Sequence, residues 1–198
     1  MAWRTYQDAR QPEPRSEREL VELAMTGDAD AFSALASAST RRLYAVARLI
    51  LHNDALAEDA TQEALVVAWR DLSALRDPDR FGAWLHRVLV RECYKHAHRE
   101  RRRIEVEGQV RPLSEEHDPS RQSIVSEQIE RGFAHLSVEQ RTVLILHHYL
   151  GYSFPEMADA LGLPVGTVKS KVWRACAAMR KALTAEPELA PLKEGQVA

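Results

Sequence analysis

One short stretch limits the folds open to this chain more than any other: SFPEMADALGLPVGTVKSKVWRA, residues 153–175. Ala158 is followed four residues on by Gly162, and six after that by Val168. Where two helices cross at a tight turn, the first needs a small residue under the second. The turn needs a residue that tolerates positive φ, and the second helix needs an apolar residue to seal the pair. Ala158, Gly162 and Val168 meet those needs in order. Met157, Leu161, Leu163, Val165 and Val172 are the expected core contacts, and Pro164 is placed to start the second helix. The spacing predicts a helix-turn-helix.

The second helix carries Lys169, Lys171, Arg174, Arg180 and Lys181, with no acidic residue between Pro164 and Ala185. Such a face suits phosphate contacts. Lys169, Ser170, Trp173 and Arg174 fall in its N-terminal half, where base edges are reached in this motif. The alternative is a helical hairpin whose basic face is merely solvated, with Trp173 half-buried in the core.

The rest of the chain also reads as helix, with no strand pattern of any length. Residues 1–15, with Pro12 and Pro14, are expected as a loose tail. Ser16 with Glu19 forms a capping-box signature and opens a short helix that stops at Gly27. Asp28 or Asp30 can cap the next helix, which carries Phe32, Leu35, Leu43, Val46 and Ile50 at helical spacing. His52-Asn53-Asp54 breaks it and a third helix follows. Asp77-Pro78 supplies an N-cap and a first-turn proline for a long helix ending near Arg103. Residues 104–124 are expected as an acidic linker, rich in Glu and broken by Gly108, Pro112 and Pro119. A second capping box, Ser137 with Gln140, starts a helix that ends at Gly151. The polar segment 185–198 is expected as a second tail. The fold class is therefore all-α: two small helical domains, 16–103 and 125–184, joined by an acidic linker.

Charge is distributed unevenly along the chain, although the net value is only −2. The long helix carries Arg87, Arg91, Lys95, Arg99, Arg101, Arg102 and Arg103 against Glu92 and Glu100, with Phe81, Trp84 and Tyr94 interleaved. Cations track a nucleic-acid backbone and aromatic faces stack on unpaired bases. Phe81, Trp84, Leu85, Val88 and Leu89 also suit a core-facing stripe, and for Phe81 and Leu85 the core reading is preferred. The preceding helix has the opposite sign, with Asp54, Glu58, Asp59, Glu63 and Asp71, and Gln62 beside Glu63. An acidic face cannot meet DNA; it suits a basic protein partner or water.

Other chemistries find little support. Cys93 and Cys176 make no disulfide framework and fit a reducing cytosol. Cys93, His96 and His98 lack the four well-placed ligands of a zinc site. The adjacent His147 and His148 are expected to point apart, and Cys176 to be a small core residue. There is no glycine-rich phosphate loop, HExxH or nucleophile elbow. No catalytic residue, cofactor or metal is expected. The absence of a signal-peptide pattern and of a membrane-length apolar run points to a soluble cytoplasmic protein.

Three segments together are specific: AEDATQEALVVAW, then RFGAWLHRVLVRE with its basic end, then LSVEQRTVLILHHYLGYSFPEMADALGLPVGTVKSKVWRA. In this order the chain resembles the extracytoplasmic-function sigma factors of the sigma-70 family, over about residues 16–103 and 125–183. The resemblance implies a bacterial transcription initiation factor that binds core RNA polymerase and promoter DNA. By position, Asp59, Gln62 and Glu63 match the segment that grips the β′ clamp helices, and the C-terminal domain is implied to meet the β flap. Phe81, Trp84, Arg87, Arg91, Lys95 and Arg99 fall in the helix that melts and reads the −10 element. Lys169, Ser170, Lys171, Trp173 and Arg174 match the face that docks on the −35 element. The acidic linker matches the segment that threads toward the polymerase active site and RNA exit channel. The resemblance also implies control by an anti-sigma factor.

Two other readings use the same residues. A stand-alone helix-turn-helix regulator would have no use for the acidic third helix or the acidic linker. A sigma-like decoy that sequesters an anti-sigma factor would have no use for the basic helices. The chain also departs from the family pattern: many members carry Asn where Arg91 stands, and Asp is common at Lys95. Asn pairs with a base edge through its amide, whereas Arg is a longer, charged donor. Arg91→Asn is expected to change promoter preference at one −10 position in transcription with core polymerase; an unaltered preference profile would contradict this.

Overall fold

A computed structural model describes residues 15–107 and 124–184. Among them eight α-helices form two packed bodies: α1 Glu17–Met25, α2 Ala29–Leu51, α3 Asp54–Asp71 and α4 Phe81–Glu107 in the first, and α5 Ile124–Ala134, α6 Val138–Leu144, α7 Phe154–Leu161 and α8 Val165–Thr184 in the second. No strand occurs among the described residues. The all-α, two-domain expectation holds. The expected tails (beyond Arg15) and most of the linker lie outside the described residues. At the linker's near end, α4 continues to Glu107, four residues past the expected boundary.

Helix starts follow their caps closely. Ser16 accepts from the Glu19 amide while the Glu19 carboxylate accepts from the Ser16 amide, and Ser137 and Gln140 repeat the arrangement. Asp28, not Asp30, caps α2, and Asn53 caps α3. A third reciprocal box, Ser153 with Glu156, opens α7 around Pro155. The sequence carries its serine-to-glutamate spacing as openly as the first box. The expected break at His52 is a left-handed residue (φ 52°) that closes α2.

In the first body, α3 packs against both α2 and α4. Its buried side chains are Ala57, Ala60, Thr61, Ala64 and Ala68. This seam of small residues lets the neighbouring helices approach closely. The larger volume comes from its neighbours: Leu43, Val46 and Ile50 from α2, and Phe81, Leu85 and Leu89 from α4, all nearly or fully buried.

In the second body, Met157 and Ala158 of α7 pack against Val168, Val172 and Ala175 of α8. Gly162 closes α7 at φ 65°, and its amide bonds to the Ala158 carbonyl. Leu161 and Leu163 are half-buried against the core, but Val165 is 38% exposed at the first position of α8 and is not the core contact expected. The helix before the motif is also not uniform. After Leu144 the ladder widens over Ile145–Tyr149 into a π-helical turn, with the Leu150 amide bonded to the Ile145 carbonyl.

Gly162→Ala is expected to lower stability by about 1 kcal/mol in denaturant titration, because a β-carbon strains the left-handed turn. Gly162→Asn is expected to cost less, since Asn tolerates that region. Equal stability of Gly162→Ala and the parent would contradict this account of the turn.

Candidate nucleic-acid interface

On α8, Lys169, Ser170, Trp173 and Arg174 are all exposed, Trp173 at 73%. They lie at i, i+1, i+4 and i+5 and share one face. Trp173 is therefore a surface aromatic, not the half-buried core residue of the alternative reading. The Ser170 hydroxyl donates to the Gly166 carbonyl at 2.8 Å, so its lone pairs, not its proton, face outward. Arg174 spends its Nε on the Ser170 carbonyl at 3.2 Å, which holds the guanidinium over the helix and leaves its outer edge to solvent. The Lys169 Nζ sits 5.7 Å from the Phe154 ring centroid, and that ring stacks on His147 at 4.9 Å. Phe154 is thus a platform that steers Lys169, a role the sequence did not signal.

Lys171 does not join this face. It turns toward α6 and pairs with Glu139 at 2.6 Å. Two positions along a helix rotate a side chain by about 200°, a little over a half-turn, so residues 169 and 171 face opposite sides. It points away from the face of Lys169 and Arg174 that was expected to hold it.

On α4, Trp84, Arg87, Arg91 and Lys95 recur at i, i+3, i+7 and i+11 and share one stripe, whose outer end is in solvent. Arg91, Lys95 and Arg99 are exposed, and Trp84 and Arg87 are half-buried. Phe81 is 2% exposed and belongs with Leu85, Val88 and Leu89 on the core side. It cannot stack on a base as it stands; it backs Trp84, whose ring lies 6.2 Å away. The Nε of Arg87 is buried with no hydrogen-bond partner. Lys95 pairs with Glu92 at 2.8 Å, and Glu92 is 1% exposed, so part of this lysine's charge neutralises a buried carboxylate.

On α3, Asp59 and Gln62 are exposed, with Gln62 donating to Glu58 at 3.4 Å. Glu63 is turned toward α4, where Arg99 lies at 3.5 Å and His96 Nε2 at 3.4 Å. Its carboxylate is shared between its own helix face and the basic helix.

The remaining polar groups have structural roles. Burial pushes the Cys93 thiol up to about 12, so it stays protonated at neutral pH. His147 and His148 do not point apart; their rings are 4.8 Å from each other, because the π turn brings them to one side. Cys176 is half-buried and lies 3.7 Å from His148 Nε2. No group of three metal-ligating side chains forms among the described residues. No described helix is long and apolar enough to cross a membrane.

Two residue sets that sequence reasoning missed join the two bodies. Arg141 is 6% exposed and donates through Nε to the Ile50 carbonyl at 2.7 Å. His86 Nδ1 lies 3.1 Å from the Tyr152 hydroxyl. Burial, with Arg42 adding to it, pulls the His86 imidazole down to about 4, so it is neutral at pH 7. Neither contact has a local signature, since each depends on partners 91 and 66 residues away.

Two helical bodies, one with an exposed basic recognition helix behind a left-handed glycine turn, define a DNA-binding transcription factor. Residues 35–103 match the family model described as Sigma-70 region 2, and residues 126–179 match that described as Sigma-70, region 4. Over 172 residues, 85% of each chain, the sequence is 32% identical to the ECF RNA polymerase sigma factor SigM of Mycobacterium tuberculosis. It is 29% identical over 182 residues to the RNA polymerase sigma-H factor of Pseudomonas aeruginosa, covering 84% of this chain and 93% of that one. Two solved structures are similar. The sigma factor RpoE of Bartonella quintana, solved with the anti-sigma factor NepR, aligns with TM-score 0.67 and 25% identity over 79% of this chain and 98% of that one. CnrH, solved with the cytosolic domain of CnrY, aligns with TM-score 0.60 and 28% identity over 86% and 99%. The chain belongs to the ECF RNA polymerase sigma factors, which bind core polymerase and promoter DNA to initiate transcription.

Proposed function

We propose a division of labour within this sigma factor that follows its surfaces. The observation that carries it is the acid-free outer face of α8, where Lys169, Ser170, Trp173 and Arg174 stand exposed together. This face docks on the −35 duplex, with Lys169 and Arg174 on phosphates or base edges and Trp173 supplying apolar contact. The stripe on α4, with Trp84, Arg87, Arg91 and Lys95, takes the opened −10 strand, and Arg99 extends it along the backbone. Trp84 offers the aromatic face, and the cations track the phosphates. Unpairing costs a few kcal/mol per step, which these contacts offset.

The acidic face of α3, led by Asp59 and Gln62 with Glu63 at its edge, meets the β′ clamp helices of polymerase, and the second domain meets the β flap. Polymerase carries out the chemistry; this chain is not an enzyme and works in the cytoplasm. An anti-sigma factor controls it, a reading supported by the similar sigma factors solved with NepR and with the cytosolic domain of CnrY.

The test is binding of the complex with core polymerase to promoter duplex at several salt concentrations. Each of Lys169→Ala and Arg174→Ala is expected to weaken binding and, where a phosphate contact is lost, to flatten the log–log salt slope by about one. Lys171→Ala is expected to leave the slope unchanged. Unaltered binding by the first two variants, or a loss confined to the third, would contradict the assignment.

A further inference from the structure

Where the two domains pack lies a buried cation with no carboxylate beside it among the described residues. Arg141, in the first turns of α6, is buried, and desolvation alone brings its pKa down to about 10, so it remains charged at neutral pH. A buried guanidinium needs acceptors for its fork. It finds two carbonyls. One is that of Phe133, at the end of α5 in its own domain, 3.3 Å from a terminal amine. The other is that of Ile50, 2.7 Å from Nε, in the last turn of α2 in the other domain. Carbonyls in a last turn sit at the negative end of the helix dipole; that of Phe133 also accepts from the Leu136 amide.

We infer that Arg141 is an interdomain lock: by capping the C-terminal ends of α5 and α2 at once, it holds the polymerase-free chain in a closed form that must open for the two DNA-reading faces to move apart. Three weaker contacts lie across the same seam. Arg48, also in the last turn of α2, stands 4.0 Å from Glu130 of α5. His86 of α4 meets the Tyr152 hydroxyl. Tyr94 of α4 lies near the Thr142 side chain, next to Arg141.

The lock is reversible by its nature. When the domains part, the Ile50 carbonyl and the guanidinium both gain water, so separation leaves no group stranded. Closed, neither group has that option, which makes the contact close to all-or-none. For a chain that acts on polymerase, closure reduces apparent affinity by the fraction of open molecules. That consequence rests on the sigma-factor reading; the closure itself does not.

The experiment is small-angle X-ray scattering of the full chain alone, with helicity followed by circular dichroism. Arg141→Met keeps the length of the side chain and removes its donors. It is expected to retain helicity and to raise the radius of gyration by roughly a fifth, as one compact body becomes two. Glu130→Lys sets a lysine beside Arg48 without touching either core, and is expected to expand the chain in the same direction by less. An Arg141→Met chain that is helical and as compact as the parent would overturn the inference. Should Arg141→Met lose helicity, Glu130→Lys decides: expansion supports the seam, and parental compactness overturns it.

Discussion

A desolvated guanidinium sits where the halves of this molecule meet. Moving a charge out of water costs several kcal/mol, and no carboxylate among the described residues stands by Arg141 to offset it. Two helix ends do so instead, and because one belongs to each domain, the C-terminus of α2 is where the second domain rests. The placement of α6 along α4 follows, with Tyr94 against Thr142 and His86 against Tyr152. So does the freedom of α8, which takes no part in these bonds and keeps its recognition face in solvent.

The long helix α4 shows how one element serves three neighbours. Phe81, Leu85, Val88 and Leu89 face the first domain's core. His86 and Tyr94 face the second domain. Trp84, Arg87, Arg91 and Lys95 form a stripe whose outer end is in solvent. A 27-residue helix has room for three stripes only if few of its positions are idle, and this leaves it polar on average although much of it is buried. Its charge is also less free than its composition suggests. Lys95 neutralises Glu92, Arg103 pairs with Glu100 at 2.7 Å, and Arg99 leans on Glu63. Arg91, one of the two positions expected to depart from the family pattern, is exposed on that stripe with Asp71 as a charged neighbour.

Much of the fold was legible because its signals are local. Capping boxes, the αL glycine and the 158–162–168 spacing each act over a few residues, and each forms as read. The exposed face of α8 was legible for the same reason; the direction of Lys171 was not. That lysine's direction depends on Glu139, 32 residues away, and no periodicity records it. Phe81 counted as both core and site on composition, and burial assigns it to the core. The π turn was not legible, since a ladder shifted by one residue leaves the apolar pattern of Thr142–Leu146 intact. The stacking of His147 on Phe154, beside Lys169, was not legible either. The interdomain contacts were out of reach altogether: Arg141, His86 and Tyr152 are unremarkable residues until the chain brings them together.

In the proposed division of labour, α8 reads the duplex and α4 the opened strand. The most direct measurement is transcription by core polymerase with the purified chain on a promoter library in which the −35 and −10 elements are randomised separately. With the double variant Trp173→Ala/Arg174→Ala, sequence preference should flatten at −35 and persist at −10. Loss of preference at −10, or preferences at both elements identical to those of the parent, would contradict the assignment.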